Sequence, residues 1–344
     1  MSDPSPASSH APLIDRFGRR VTYLRLSVTD RCDFRCLYCM EPNQRFAPRD
    51  AVLRLEELLA VARAFVSLGV NKVRLTGGEP LVRPNILWLM ERIRALPGLR
   101  ELVLTTNGSQ LVKMAQRIRD AGVSRINISL DSLRPERFRR ITRNGDLQTV
   151  LAGIDAAIAA GFRHIKLNSV ILNHRNQDEV LDLVQFAVEK GINISFIEEM
   201  PIGQLGAHDR AASFYSSEQI RADLAPHFSL VPTAESTGGP AHYYRIPQTE
   251  TRVGFISPHS HNFCSDCNRV RVTTEGRLLL CLGQEHSLDL RAILRAHPLD
   301  RAHPQDDAYL RAAIQEAMVL KPEGHRFKVG VPSLGNRRMN MTGG

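Results

Sequence analysis

From residue 22 to about residue 200, short apolar and β-branched runs alternate with segments whose apolar positions recur at helical spacing. TYLRLSV (22–28), KVRLTG (72–77), ELVLTTN (101–107), RINISL (125–130), HIKLNSV (164–170) and NISFIEEM (193–200) read as strands. Between the first two, Leu55, Leu58, Leu59, Ala62, Phe65 and Val66 fall on one helix face, and Gly69 ends the run. NILWLMERIRAL (85–96) and LVKMAQRIRDAG (111–122) repeat the pattern and stop near Pro97 and Gly122. Six βα units predict a parallel sheet with helical crossovers, and six are too few to close an eight-stranded barrel. The expected fold class is α/β, an incomplete parallel (β/α)6 TIM-like barrel over 21–200, with a doubly wound sheet as the rival architecture.

Polar residues interrupt this pattern at particular places. Glu79, Asn107, Ser129 with Asp131, Asn168, and Glu198 with Met200 gather at or just after strand C-terminal ends, the rim where barrel folds place their chemistry. Arg25, Arg74 and Lys166 lie inside predicted strands, where an unpaired buried charge is costly and a polyphosphate lining the sheet would compensate it. After Pro201 the rhythm breaks. A helix near 216–225, hairpin-like strands in HYYRI, RVGFI and RVRVTTEGRLLLC, and helices near 288–295 and 308–318 predict an α+β module over 201–344.

The polar, proline-rich opening MSDPSPASSHAP leads to an expected disordered extension over 1–20. It lacks the basic start and apolar centre of a signal peptide, and no apolar run is long enough to cross a bilayer. A cytoplasmic protein with no membrane partner is expected. The formal charge of +9 favours an anionic partner. Dispersed arginines and only 6% aromatic residues argue against nucleic acid and for a small polyphosphate.

All six cysteines fall into two triplets, Cys32, Cys36 and Cys39 (C-x3-C-x2-C) and Cys264, Cys267 and Cys281 (C-x2-C-x13-C), the clustering of metal ligands rather than disulfides. For the first, the alternative to an iron–sulfur cluster is zinc with a distant fourth ligand such as His10 or His164. For the second, spacing alone fits a Cys3His zinc hairpin with His261 as well as a cluster. TGGEP (76–80) closes the second strand, with two glycines that let backbone approach a ligand and Glu79 as an acceptor for an amine.

The cysteine loop after the first strand, Tyr38 before its third cysteine, and GGEP after the second strand together resemble the radical S-adenosylmethionine enzymes. LRLSVTDRC, TGGEPLVR, TTNG, RINISLDS, FIEEM, CSDCNRVR and the terminal Gly-Gly extend the resemblance, over nearly the whole chain after residue 20, to the GTP 3',8-cyclase family of molybdenum cofactor biosynthesis. The resemblance implies two [4Fe-4S] clusters, the first with one iron open for S-adenosylmethionine and the second, in the C-terminal module, with one open for the guanine of GTP. It further implies a lyase that removes hydrogen from C3' of GTP through a 5'-deoxyadenosyl radical and closes C3' onto C8. Carried over by position, Tyr38, Gly78, Glu79, Ser129 and Met200 hold S-adenosylmethionine. Arg25, Arg74, Thr105, Lys166, Arg269, Val270 and Arg271 hold GTP, and Gly343 with Gly344 reach into the active site. Ser195 stands where relatives often carry arginine. The implied partners are a reductant protein and the next enzyme of the pathway, and outward apolar helix positions fit either a core or a homodimer interface. The rival readings are a radical enzyme that modifies peptides and a zinc-stabilised basic protein that binds nucleic acid.

Overall fold

The computed structural model describes residues 12–203, 208–297, 307–331 and 337–343. Six strands, β1 (Tyr23–Ser27), β2 (Lys72–Thr76), β3 (Glu101–Thr106), β4 (Arg125–Ser129), β5 (Ile165–Val170) and β6 (Asn193–Ile197), pair in parallel in chain order. Helices α1 (Leu55–Ser67), α2 (Ile86–Arg94), α3 (Leu111–Asp120), α4 (Pro135–Thr142), α5 (Leu147–Ala159) and α6 (Val180–Glu189) return the chain between them. In α1, Glu57 accepts from the Arg54 amide at 2.7 Å and so satisfies one donor of the helix start. Its Leu58, Ala62, Phe65 and Val66 are buried against the sheet, while Leu55 and Leu59 are half-buried. Strand alternation does the rest: Leu24, Leu26, Val73, Leu75, Ile126 and Ile128 join the core, while Arg25, Arg74, Asn127 and Lys166 line the concave side.

The expected incomplete (β/α)6 barrel is present, and the C-terminal module is less separate from it than its broken rhythm suggests. After α7 (Arg210–Ser213) and α8 (Ser217–Leu224), β7 (Val231–Pro232), β8 (His242–Arg245) and β9 (Arg252–Ile256) follow, and β9 pairs in parallel with β6. At the opposite edge β10 (Arg269–Val272) pairs in parallel with β1, extended by β11 (Arg277–Leu279) and β12 (Ser287–Asp289) in antiparallel fashion. One sheet of order β12-β11-β10-β1-β2-β3-β4-β5-β6-β9-β8-β7 results. The physical reason is edge satisfaction: a six-stranded open sheet leaves unpaired backbone on β1 and β6, and the module's strands cover both. Helices α9 (Leu290–Ala296), α10 (Ala308–Ala317) and α11 (Met339–Thr342) complete the chain.

The N-terminal expectation needs correction at its inner part. Residues 12–20 are folded: Leu13 is buried, Ile14 bridges Arg20, and Asp15 pairs with Arg19 at 2.7 Å. Leu13 gives this stretch an apolar anchor in the main core. The preceding eleven residues lie outside the described residues. Among the described residues, no helix is long and apolar enough to cross a membrane.

Candidate active site

The first cysteine triplet follows the C-terminal end of β1. Cys32, Cys36 and Cys39 line one cavity together with Tyr38, Gly77, Gly78, Thr105, Ser129, Asp131 and Met200. Burial pushes all three thiols up, Cys39 to about 12, and the neighbouring thiols reinforce the rise at Cys32 and Cys36. A metal that takes up these sulfurs must therefore displace protons. Around them the loop is held by side chains: Asn107 Nδ2 donates to Asp33 at 2.6 Å and Ser109 Oγ to the same carboxylate at 2.6 Å. Tyr38 donates to Asp131 at 2.6 Å, and burial, against that bond, raises Asp131 to about 6.

Gly78 is where the GGEP loop meets the cysteine loop. A Cβ there would lie 2.2 Å from the Arg31 carbonyl oxygen, so only glycine lets the two loops touch. Glu79 has a different position from the amine acceptor expected. Fully buried, it is not part of the cavity lining, and its carboxylate accepts from the Leu81 amide at 2.9 Å, Thr106 Oγ1 at 2.8 Å and the Asn107 amide at 2.7 Å. Those three donors occupy the carboxylate, so Glu79 clamps the loop to the end of β3 and shapes the cavity indirectly. Burial lifts it to about 7 even against these bonds.

The second triplet lies at the other end of the same strands. Cys267 precedes Arg269, which pairs with Tyr23 at the start of β1, and Cys281 follows β11. Cys264, Cys267 and Cys281 line a second cavity with Tyr23, Arg25, Lys72, Arg74, Lys166, Arg269 and Arg271. Asn168, Ile197 and Met200 line both cavities, which therefore adjoin along β5 and β6. Between the two triplets Arg271, Arg25 and Arg74 stand side by side in register on β10, β1 and β2. Like charges directly opposite one another destabilise a sheet, so this row suits a site built for anions. Arg74 donates to Thr105 Oγ1 at 2.8 Å, and Lys166 donates to Tyr243 at 3.1 Å. Burial depresses Lys166 and, together with Arg25 and Arg269, depresses Arg271 well below the usual arginine range. Val270, between two cavity arginines, packs into the core.

The tail reaches the same place. Gly343 has φ +74°, a Cβ on it would meet Thr76 at 2.1 Å, and its carbonyl accepts from Arg271 and, at 3.5 Å, from Arg25. Asn340 secures the approach by donating to the Asp30 carbonyl at 2.9 Å. Gly344 lies outside the described residues.

Further residues stand around the second triplet and its cavity. Lys321 is fully buried and donates to the Leu280 carbonyl at 3.0 Å and to Cys267 Sγ at 3.5 Å. His325 donates its amide to Cys264 Sγ at 3.4 Å, and its Nε2 is buried without a partner. Arg19 ties the N-terminal segment to this region through the carbonyls of Cys264 at 2.7 Å and Pro322 at 2.6 Å. Asn127 and Asn168 each present a buried, unpartnered amide oxygen where they line the second cavity. Of these, Asn168 is singled out by the sequence among the polar residues at strand ends, whereas Arg19, Asn127, Lys321 and His325 belong to no motif.

Two of the three histidines considered as zinc ligands do not fit their cavities: His164 sits at the start of β5 in a separate pocket with Arg125 and Arg252, and His261 is exposed. His10 is outside the described residues. Among those described, no three His, Cys, Asp or Glu side chains gather closely enough to hold a single metal ion. Ser195 is buried against its register partner Gly254, where an added Cβ would meet Ser195 Oγ at 2.5 Å and the Tyr243 ring at 2.9 Å.

Comparison with known proteins places the chain in a family. Residues 26–187 match the radical SAM superfamily model and residues 192–327 the molybdenum cofactor synthesis C model. A protein named GTP 3',8-cyclase from Pseudomonas entomophila (strain L48) is 62% identical over 96% of this chain and 98% of its own. GTP 3',8-cyclase 1 of Pseudomonas aeruginosa is 61% identical over 96% and 99%. Among solved structures, Streptococcus suis SuiB bound to its precursor peptide SuiA matches with a TM-score of 0.60 at 15% identity, over 89% of this chain and 72% of that one, a likeness of fold alone. With cysteine loop, glycine loop and arginine row placed as above, and with identity above one half along almost the full length, this chain belongs to the GTP 3',8-cyclase family of radical S-adenosylmethionine enzymes.

Proposed function

We propose that the two adjoining cavities divide the reaction between them, S-adenosylmethionine in the first and the triphosphate of GTP along the arginine row of the second. The observation that carries this is the register of Arg271, Arg25 and Arg74 between two cysteine triplets. When bound, a [4Fe-4S] cluster on Cys32, Cys36 and Cys39 supplies the electron that splits S-adenosylmethionine, the source of the radical that takes hydrogen from C3' of GTP. The chain's own residues do the remainder. Gly78 lets its loop close against the cysteine loop and lines the cofactor cavity, which Tyr38, Ser129 and Met200 also wall. Arg25, Arg74, Lys166, Arg269 and Arg271 hold the phosphates with charge-assisted bonds, and Thr105 orients Arg74. Cys264, Cys267 and Cys281 would hold a second cluster, which would supply an iron for the base, and Lys321 donates to Cys267 Sγ beside it. Gly343 aligns the arginines by accepting from Arg271 and Arg25.

The second cavity is lined by cations and suits a nucleoside triphosphate, which supports GTP over a peptide substrate. The product, 3',8-cyclo-7,8-dihydro-GTP, would pass to the next enzyme of molybdenum cofactor synthesis, with electrons from a cytoplasmic reductant protein. Anaerobic incubation with GTP, S-adenosylmethionine and a reductant tests the reading. Formation of 5'-deoxyadenosine with a cyclised GTP product is expected, and 5'-deoxyadenosine without such a product would overturn the substrate assignment.

A further inference from the structure

Tyr23 belongs to no motif, yet it stands in the densest positive charge of the second cavity. It is 2% exposed and lines that cavity from β1. Its hydroxyl accepts from Arg74 Nε, and its ring lies 5.1 Å from Lys72 Nζ and 5.8 Å from Arg74 Cζ. Arg25 follows two positions along the same face, Arg269 is its register partner on β10, and Arg271 pairs with Arg25. From β5 Lys166 faces the same space, with Tyr243 from β8 against it. Of the nearby carboxylates, Glu101 is committed to Lys72 at 2.8 Å and Arg125 at 3.0 Å, and Glu235, which shares an adjoining pocket with Arg74 and Lys166, is committed to Arg252 at 2.5 Å. Charge of one sign packed this closely favours the ionised form of any acid among it. Burial alone would push the Tyr23 phenol up, but Arg74, Arg25 and Lys72 outweigh it and bring it down to about 7.

We propose that Tyr23 is the internal counter-ion of the substrate site, a phenolate held by Arg74 before nucleotide binds and a neutral phenol once the triphosphate lies beside the arginines. This rests on the reading that GTP binds there. One proton moves from solvent to the phenol oxygen, and no bond of the nucleotide changes. The arriving phosphates take over the fields of Arg25 and Arg74, and their own charge opposes a second anion in the cavity. Binding above neutral pH is therefore linked to proton uptake, and affinity falls as pH rises. Tyr23 is an acid already hydrogen-bonded to an arginine of the row, which makes it a positioning residue for Arg74 as well.

Calorimetric titration of the cluster-loaded enzyme with GTP, anaerobically and without reductant, in buffers of different ionisation enthalpy, counts the protons. At about pH 8 the terminal phosphate of free nucleotide is already ionised and adds little to the count. Nearly one proton taken up per site is expected, falling to near zero in Tyr23→Phe and persisting in Tyr243→Phe. Binding without uptake in the wild-type enzyme, uptake that survives Tyr23→Phe, or uptake lost in Tyr243→Phe would overturn the proposal. Inorganic triphosphate separates the two readings. If it binds with uptake and GTP does not bind, the counter-ion stands and the nucleotide assignment falls; if neither binds, both fall. Should Tyr23→Phe not fold, a carbon-13 label at tyrosine Cζ in the wild-type enzyme reports the change directly, and a phenol signal that ignores triphosphate refutes it.

Discussion

One methyl group at position 78 would sit 2.2 Å from the Arg31 carbonyl, a contact that backbone cannot relieve by rotating a side chain. Gly78→Ala is expected to cost about 1–3 kcal/mol of stability, as overpacking does, and to lower the yield of 5'-deoxyadenosine from S-adenosylmethionine; thermal melting and product assay check the two effects. Tyr23 offers a test by pH. Its phenol value is lowered on folding to about 7 from an ordinary 10, so the stabilisation it contributes is fully present above the unfolded value and is lost as pH falls through the folded one. The melting difference between nucleotide-free wild type and Tyr23→Phe should therefore open as pH rises from about 7; a difference that is flat with pH would count against the ionised phenol. The cysteines and Gly78 were legible in the sequence because cluster and cofactor chemistry dictate residue type at fixed local spacing. Tyr23, Lys321 and His325 were not, since what makes them matter is neighbours brought from strands and loops far away in the chain. Glu79 was legible as important, but its three backbone and hydroxyl donors, and hence its role as a clamp, are facts of the folded loop.

The row formed by β10, β1 and β2 sets three guanidiniums in register, an arrangement that trades stability for affinity. Arg271→Met should leave the nucleotide-free melting midpoint unchanged or raised, because a like-charged neighbour of Arg25 is removed. The rise in midpoint on adding GTP should shrink, and nucleotide affinity should fall about tenfold or more for loss of a charge-assisted bond; an undiminished GTP shift would take Arg271 out of the site. Strands β1 to β6 and helices α1 to α3 announced themselves through local periodicity. The places of β9 and β10 in the sheet did not, because the partner of β10 lies at Tyr23–Leu26 and no local pattern encodes a pairing over that separation. Short β7 and β12 are defined by their partners alone.

Over the whole molecule the two triplets stand at opposite ends of one set of strands, each with its own cavity. Cys36→Ala should abolish S-adenosylmethionine cleavage, whereas Cys267→Ala should keep the first cluster, read by iron content and its spectrum, and impair GTP use. A Cys267 variant with undiminished GTP turnover would make the second centre structural. The pairing of β10 with β1 also has a consequence for how the protein is made. During synthesis β1 emerges early, yet its second neighbour arrives only with Arg269–Val272, so the nascent half-barrel waits with an open, arginine-bearing edge. Pairings of such sequence separation form slowly, and unpaired edges invite intermolecular association. Chains cut short before residue 269 should be the aggregating species, because β1 then lacks its β10 neighbour.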